Sequence, residues 1–228
     1  MNSPDFAASP TPDSHSESSR PDVVVVHTGS ANLASVSAAL TRIGATPRLT
    51  EEADLVASAP IVILPGVGAF GAAMASLRRS GLDDALRERV RLNRPLLAIC
   101  LGLQLLCESS EESLGISGLG IVPGEVRRFA PPARVPQMGW NRIAPSVNAR
   151  LLRPGWMYFA NSYRLDSIPP EWSGATTEYG DDPPSFASAL ERGTLLACQF
   201  HPELSGRAGL DLISRWVNSA LTSGAVAC

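Results

Sequence analysis

Three uninterrupted apolar runs, Val23-Val24-Val25-Val26, Ile61-Val62-Ile63-Leu64 and Leu96-Leu97-Ala98-Ile99, constrain this chain more than any other feature. A strand with one face in water alternates polar and apolar residues, so a continuous run belongs to a strand covered on both faces. Helical spacing fills the intervals. It runs from about Ala31 to Ile43, with Leu33, Val36, Leu40 and Ile43 on one face, and again over Ala69–Arg79 and Leu82–Leu92. Gly44 is placed to end the first helix. Thr46 to Leu49 reads as another strand, Glu51 to Ser58 as a short helix, and Leu101 to about Ser109 as the helix after the Leu96 run. Strands alternating with helices of this length predict an α/β fold with a mostly parallel central sheet and right-handed crossovers.

Beyond Gly115 the pattern changes. Short strand-like runs at Gly124–Phe129, Trp156–Tyr163, Gly174–Tyr179, Phe186–Leu190 and Leu195–Gln199 are separated by Pro- and Gly-rich turns. They read as antiparallel additions to the parallel sheet. A last helix is expected from about Gly206 to Leu221, with Ser205 as its N-cap. Met1 to Arg20 are rich in Ser, Pro and Asp and lack the basic start and apolar stretch of a secretory signal, so they read as a disordered tail. One domain over residues 21–222, with a short tail at 223–228, is the expected organisation.

A net charge of −3 gives no basic footprint for nucleic acid. No apolar stretch approaches the roughly 20 residues that span a bilayer. The four cysteines, Cys100, Cys107, Cys198 and Cys228, lack metal-type spacing and need no disulfide framework, which points to a reducing cytoplasm.

Chemistry gathers where the strands end. The Leu96 run stops at Cys100 and a helical pattern begins at once, which lifts a thiol onto a sharp strand-to-helix turn at the positive end of a helix. Ala98 and Gly102, two residues to either side, are small, as a tight elbow requires. Most free cysteines are merely small buried hydrophobes, and Cys107 and Cys198 fit that description. Cys100 instead sits at the end of a parallel strand, where open α/β sheets place ligands. Its base is His201 or His27, since His15 lies in the tail. His201 also follows an apolar run and has Glu203 two residues on to orient its ring. Pro65-Gly66-Val67-Gly68 is either a plain strand-to-helix turn or an oxyanion site built from backbone N–H groups near Val67, Gly68 and Leu101. Gln104 lies one helical turn after Cys100 and projects beside it. One member of the cluster Glu108, Glu111 and Glu112 is a candidate to meet a substrate α-ammonium; a solvated acidic face is the ordinary alternative.

Ala98-Ile99-Cys100-Leu101-Gly102-Leu103-Gln104-Leu105-Leu106 resembles the nucleophile motif of class I (triad) glutamine amidotransferases. Gln199-Phe200-His201-Pro202-Glu203 resembles their second signature. Further segments are similar to the glutaminase subunits of imidazole glycerol phosphate synthases: Thr28 to Val36, Leu64 to Phe70, Pro136-Gln137-Met138-Gly139-Trp140-Asn141, and Tyr158 to Tyr163. The resemblance covers Asp22 to Leu221 and implies a flavodoxin-like glutaminase that converts L-glutamine to glutamate and ammonia. It implies Cys100, His201 and Glu203 as the triad, a glutamyl thioester on Cys100, and Val67, Gly68 and Leu101 around the oxyanion. Gln104, Glu112, Ser162 and Tyr163 map to the glutamine pocket. No metal or cofactor is implied, and the partner is a (βα)8-barrel cyclase subunit that receives the ammonia in histidine biosynthesis. This chain departs from the family pattern in four places: His27 stands for a usual Asp, Gln137 and Asn161 for common His residues, and Leu204 for a cation that faces the cyclase. A triad glutaminase serving another synthase is the alternative within the class, although such relatives lack the Met-Gly-Trp-Asn segment. A non-catalytic scaffold is the alternative outside it, although such relatives generally lose a triad residue.

Overall fold

The structure, a computed structural model, describes residues 20–27, 32–180 and 184–224, with side chains as far as residue 222. Most of the expected N-terminal tail, Thr28 to Ala31 and Cys228 lie outside the described residues. The parallel part of the sheet contains β1 (Asp22–Val26), β2 (Thr46–Thr50), β3 (Val62–Gly66), β4 (Leu96–Cys100) and, from late in the chain, β12 (Leu195–Cys198). Their spatial order is β2-β1-β3-β4-β12, all parallel. This is the flavodoxin-like doubly wound order.

The apolar runs feed two cores because successive strand residues point to opposite faces. Val24, Val62, Leu64, Leu96 and Ala98 join one layer with α3 (Phe70–Arg79) and α4 (Leu82–Arg91). Val23, Val25, Ile63, Leu97 and Ile99 join the other with α1 (Leu33–Arg42) and α6 (Gly206–Gly224). Both faces of the central strands are thereby dry. Gly44, at φ +83°, lies just past the end of α1. Arg89 of α4 is fully buried, and its guanidinium donates to the carbonyls of Val56, Ala59, Pro60 and Pro95, tying α2 (Ala53–Ser58) to the entry of β4.

The second half corrects several expectations. The helix after Cys100, α5 (Leu101–Leu106), lasts six residues, and Cys107–Ser110 turns into strand β5, parallel to β6 (Val122–Arg128). Cys107, Ser109 and Ser110 give little helical preference, and a sheet partner wins. Gln137–Pro145, for which no strand was expected, is the nine-residue β7. Gly139 and Asn141 are weak strand formers, and its large apolar residues Met138 and Trp140 face outward, which hides the period-2 signal. The run expected over Trp156–Tyr163 is two strands, β8 (Gly155–Asn161) and β9 (Tyr163–Leu165), interrupted at Ser162. Between them in space lie β10 (Ser173–Glu178) and β11 (Ser185–Arg192), which continue the sheet from β12 as β11-β10-β7-β8 with antiparallel pairings. α6 continues to Gly224, beyond the expected stop at Leu221 and into the expected tail. Ser205 precedes it, but its hydroxyl accepts from Tyr158 N–H at 2.9 Å and donates to His201 C=O at 2.6 Å. That side chain fixes the segment containing His201. Among the described residues no helix is long and apolar enough to cross a membrane.

Candidate active site

The carboxyl ends of β3, β4 and β12 lie side by side, with Gly66 opposite Cys100 and Cys198 opposite Ile99. Cys100 takes φ +55° and ψ −111°, a conformation sparsely adopted by residues with a side chain and worth about 1–3 kcal/mol of strain. The strain turns the chain from strand to helix within one residue. Glycine makes the elbow possible: a Cβ on Gly102 would lie 2.2 Å from the Leu64 carbonyl oxygen, and one on Gly66 2.8 Å from Gly102 N. The end of β3 therefore rests directly on the first turn of α5.

His201 follows β12 and begins a 3-10 turn over Pro202–Leu204. Its backbone N–H donates to Tyr158 C=O at 2.9 Å, which anchors it to β8. Nδ1 lies 2.8 Å from Glu203 Oε1, so Nε2 is the nitrogen left to face the cleft that His201 lines together with Cys100. Burial alone would push the imidazolium pKa down, but the hydrogen bonds and charges of Cys100 and Glu203 outweigh it and raise His201 to about 10. The charged form of the ring is thereby favoured beyond that of a free imidazole. An imidazole oriented by a carboxylate at a cleft wall has the arrangement of a general acid and base. His27, the other candidate base, ends β1 against Glu51 instead.

These groups open into a cleft of about 390 Å³, within the size range of small-molecule sites. Val67, Gly68, Leu101, Gln104, Glu112, Ser162 and Tyr163 all line it with Cys100 and His201. Gly68 has φ +99°, so its positive φ belongs to the turn after β3. Of the acidic cluster, Glu108 accepts from Gly124 N–H and Glu111 from Arg128 N–H, which ties both to β6. Glu112 alone reaches the cleft, with Oε2 held by Phe70 N–H at 2.6 Å. Asn32, Tyr158, Ala160, Asn161 and Leu204 complete the lining. Tyr158 and Ala160 carry no sequence signal of their own, because their place in the wall depends on the β7–β8 pairing. Gln199, which in the sequence is only the first residue of the second signature, also belongs to the site. It is fully buried and its Nε2 lies 3.7 Å from Cys100 Sγ. Among the described residues no group of acidic, His and Cys side chains forms a metal site.

Cys107 and Cys198 are buried in the cores, where desolvation pushes Cys107 up to about 12 and Cys198 well above its ordinary value. Neither lines the cleft. Cys100 is the described cysteine that lines the cleft, together with His201.

Residues 22–217 match the family model for class-I glutamine amidotransferases. The subunit HisH of imidazole glycerol phosphate synthase from Symbiobacterium thermophilum is 42% identical over 85% of this chain and 92% of its own length. The HisH subunit from Deinococcus radiodurans is 42% identical over 86% and 93% of the two chains, and that from Methanothermobacter thermautotrophicus 39% over 86% and 97%. A crystal structure of a glutamine amidotransferase superposes with a TM-score of 0.70 at 20% identity, covering 86% of this chain and 98% of that one. The PurLQS structure from Thermotoga maritima gives 0.66 at 15% identity over 89% and 99%. The fold and the sequence agree, and the chain belongs to the class-I glutamine amidotransferases, within the family of imidazole glycerol phosphate synthase HisH subunits.

Proposed function

We propose that this chain is the glutaminase subunit of an imidazole glycerol phosphate synthase and that Cys100, His201 and Glu203 carry its hydrolysis of L-glutamine. The observation that carries the reading is a strained cysteine elbow that shares a cleft with a buried imidazole, itself held by a carboxylate. Cys100 Sγ attacks the γ-carboxamide carbon, and the carbonyl oxygen gains the charge beside the backbone of Leu101, Val67 and Gly68. The tetrahedral intermediate collapses as His201 Nε2 gives its proton to the departing nitrogen, leaving ammonia and a glutamyl thioester. Water then attacks the thioester carbonyl and loses a proton to His201, and Sγ leaves as glutamate forms. Glu203 holds the ring in place throughout. Glu112 and Gln104 in the cleft, with Ser162 and Tyr163, suit the ammonium and carboxylate of the amino acid. The chemistry requires a reduced thiol, in keeping with a cytoplasmic setting.

The partner reading rests on the outer face of the β7–β8 ribbon. Trp140 pairs with Tyr158, Met138 with Ala160 and Arg142 with Trp156, so these residues share one face. Met138, Trp140 and Trp156 are exposed, Trp140 meets Tyr158 edge-to-face at 6.0 Å, and Leu204 stands exposed at the cleft mouth. An apolar face continuous with the opening suits a subunit that covers the cleft and takes ammonia from it, the (βα)8 cyclase. Leu204 contributes area there rather than charge. The test is glutamate release from glutamine with the cognate cyclase and its ribotide ligand. The reading requires stimulation of the parent on assembly and no activity in Cys100→Ala. Retained activity in that variant would refute the mechanism.

A further inference from the structure

Two polar groups besides the His201 ring stand near the sulfur of Cys100: the Ala160 carbonyl, 4.0 Å away and an acceptor for the thiol, and the side chain of Gln199. Gln199 Nε2 lies 3.7 Å from Sγ, and both residues are buried. The orientation of this carboxamide is fixed from a distance. Tyr163 C=O can only accept, so Gln104 must turn Nε2 toward it, at 3.2 Å. The same Nε2 donates to Gln199 Oε1 at 3.1 Å. With its oxygen engaged by Gln104, Gln199 has only its NH2 group to present to the sulfur. Its backbone is held as well, by N–H donation to Ser188 C=O at 2.9 Å.

A thiol is a weak acceptor and a thiolate a strong one, so a fixed N–H beside Sγ favours the charged form. From this geometry we infer that Gln199 is a catalytic residue that donates a hydrogen bond to the Cys100 thiolate and is aimed at it by Gln104. The role deepens the proposed mechanism and rests on Cys100 being its nucleophile. The donor acts twice: it stabilises the thiolate before attack and again when sulfur departs from the thioester carbonyl. His201 gives its proton to ammonia in the first step and regains one from water in the second, whereas the carboxamide N–H stays beside the sulfur throughout. The charged and titratable groups around the sulfur are His201, with Glu203 behind it, and Glu112, Tyr158 and Tyr163 in the cleft wall.

The test follows alkylation of Cys100 by iodoacetamide against pH, in a Cys228→Ser background, with the modified peptide identified by mass spectrometry. Gln199→Met keeps the length and removes the donor; Gln199→Glu replaces it with an acceptor. The Met variant should move the alkylation midpoint up by about one pH unit, a tenfold loss of thiolate at fixed lower pH, and the Glu variant further. An unchanged midpoint in a folded Met variant would overturn the inference. The parent protein supplies a readout that needs no variant to fold. The chain has three glutamines, Gln104, Gln137 and Gln199. With glutamine labelled by 15N in the side chain, one amide signal should titrate together with Cys100 and stop doing so in Cys100→Ala. A Gln199 signal indifferent to that titration would refute the hydrogen bond. Alkylation reads the sulfur without turnover, so an absence of glutaminase activity would defeat the functional reading and leave this result separately legible.

Discussion

Gly102→Ala tests the elbow that the site is built on. An alanine Cβ there would lie 2.2 Å from the Leu64 carbonyl oxygen and 3.2 Å from its carbon. Ordinary carbon–oxygen contact needs roughly an ångström more, and the obstacle is backbone in the middle of the sheet. The first turn of α5 must therefore back away from the end of β3. Overpacking of this kind costs about 1–3 kcal/mol, which lowers the melting temperature by about 2–12 °C in a domain of this size. The same displacement moves Leu101 N–H and Cys100 Sγ away from the turn at Val67 and Gly68. A shift of about 1 Å in such a constellation costs about 10²-fold in rate. Gly155→Ala is the matched control, because its Cβ would meet nothing within 4 Å and Gly155 is not among the positive-φ glycines. Thermal denaturation and steady-state glutaminase assays on both variants decide the matter. If Gly102→Ala melts and turns over like Gly155→Ala, the close approach of β3 to α5 is not what holds the nucleophile.

Three other expectations follow from the same geometry. Because His201 is raised from 6.5 to about 10, its contribution to stability is complete below about pH 6.5 and is lost as pH rises through about 10. Glu203→Gln removes one of the causes, so denaturant titrations should show a shallower fall in stability between pH 7 and 10, while kcat/KM drops about 10²-fold and its basic limb moves to lower pH. All 19 basic side chains are arginine, so no lysine titration obscures that window. Glu112→Gln should raise KM for glutamine by about tenfold or more with a smaller change in kcat, since it removes a charge from the cleft wall without touching the sulfur. Arg89→Met leaves four buried carbonyls without their shared donor and should cost about 3–5 kcal/mol in chemical denaturation. At temperatures where the variant is folded, kcat should match the parent.

How far sequence alone reaches depends on where each residue finds its partners. The runs at Val23, Ile61 and Leu96 are legible because burial on both faces leaves a continuous apolar signature, and the elbow is legible because strand, cysteine and small residues are neighbours in the chain. β7 is not, since Met138 and Trp140 point outward and its pattern makes sense only with an outer face that stays apolar. The early end of α5 depends on β6, sixteen residues on from the paired Ser109 at Glu125. Gln199 escapes notice for a related reason. It reads as the polar end of an apolar strand, and its neighbours Gln104 and Cys100 are 95 and 99 residues away. The one available signal is a polar side chain two residues before His201 at the end of a buried strand.

The most direct test of the account is rapid quenching of the enzyme during turnover of glutamine, followed by mass spectrometry of its peptides. The account predicts a transient gain of one glutamyl group on the peptide containing Cys100, absent in Cys100→Ala and accumulating to a different level when His201 is replaced by Asn. Steady glutamate release with no adduct on that peptide, or an adduct on Cys107 or Cys198, would contradict it.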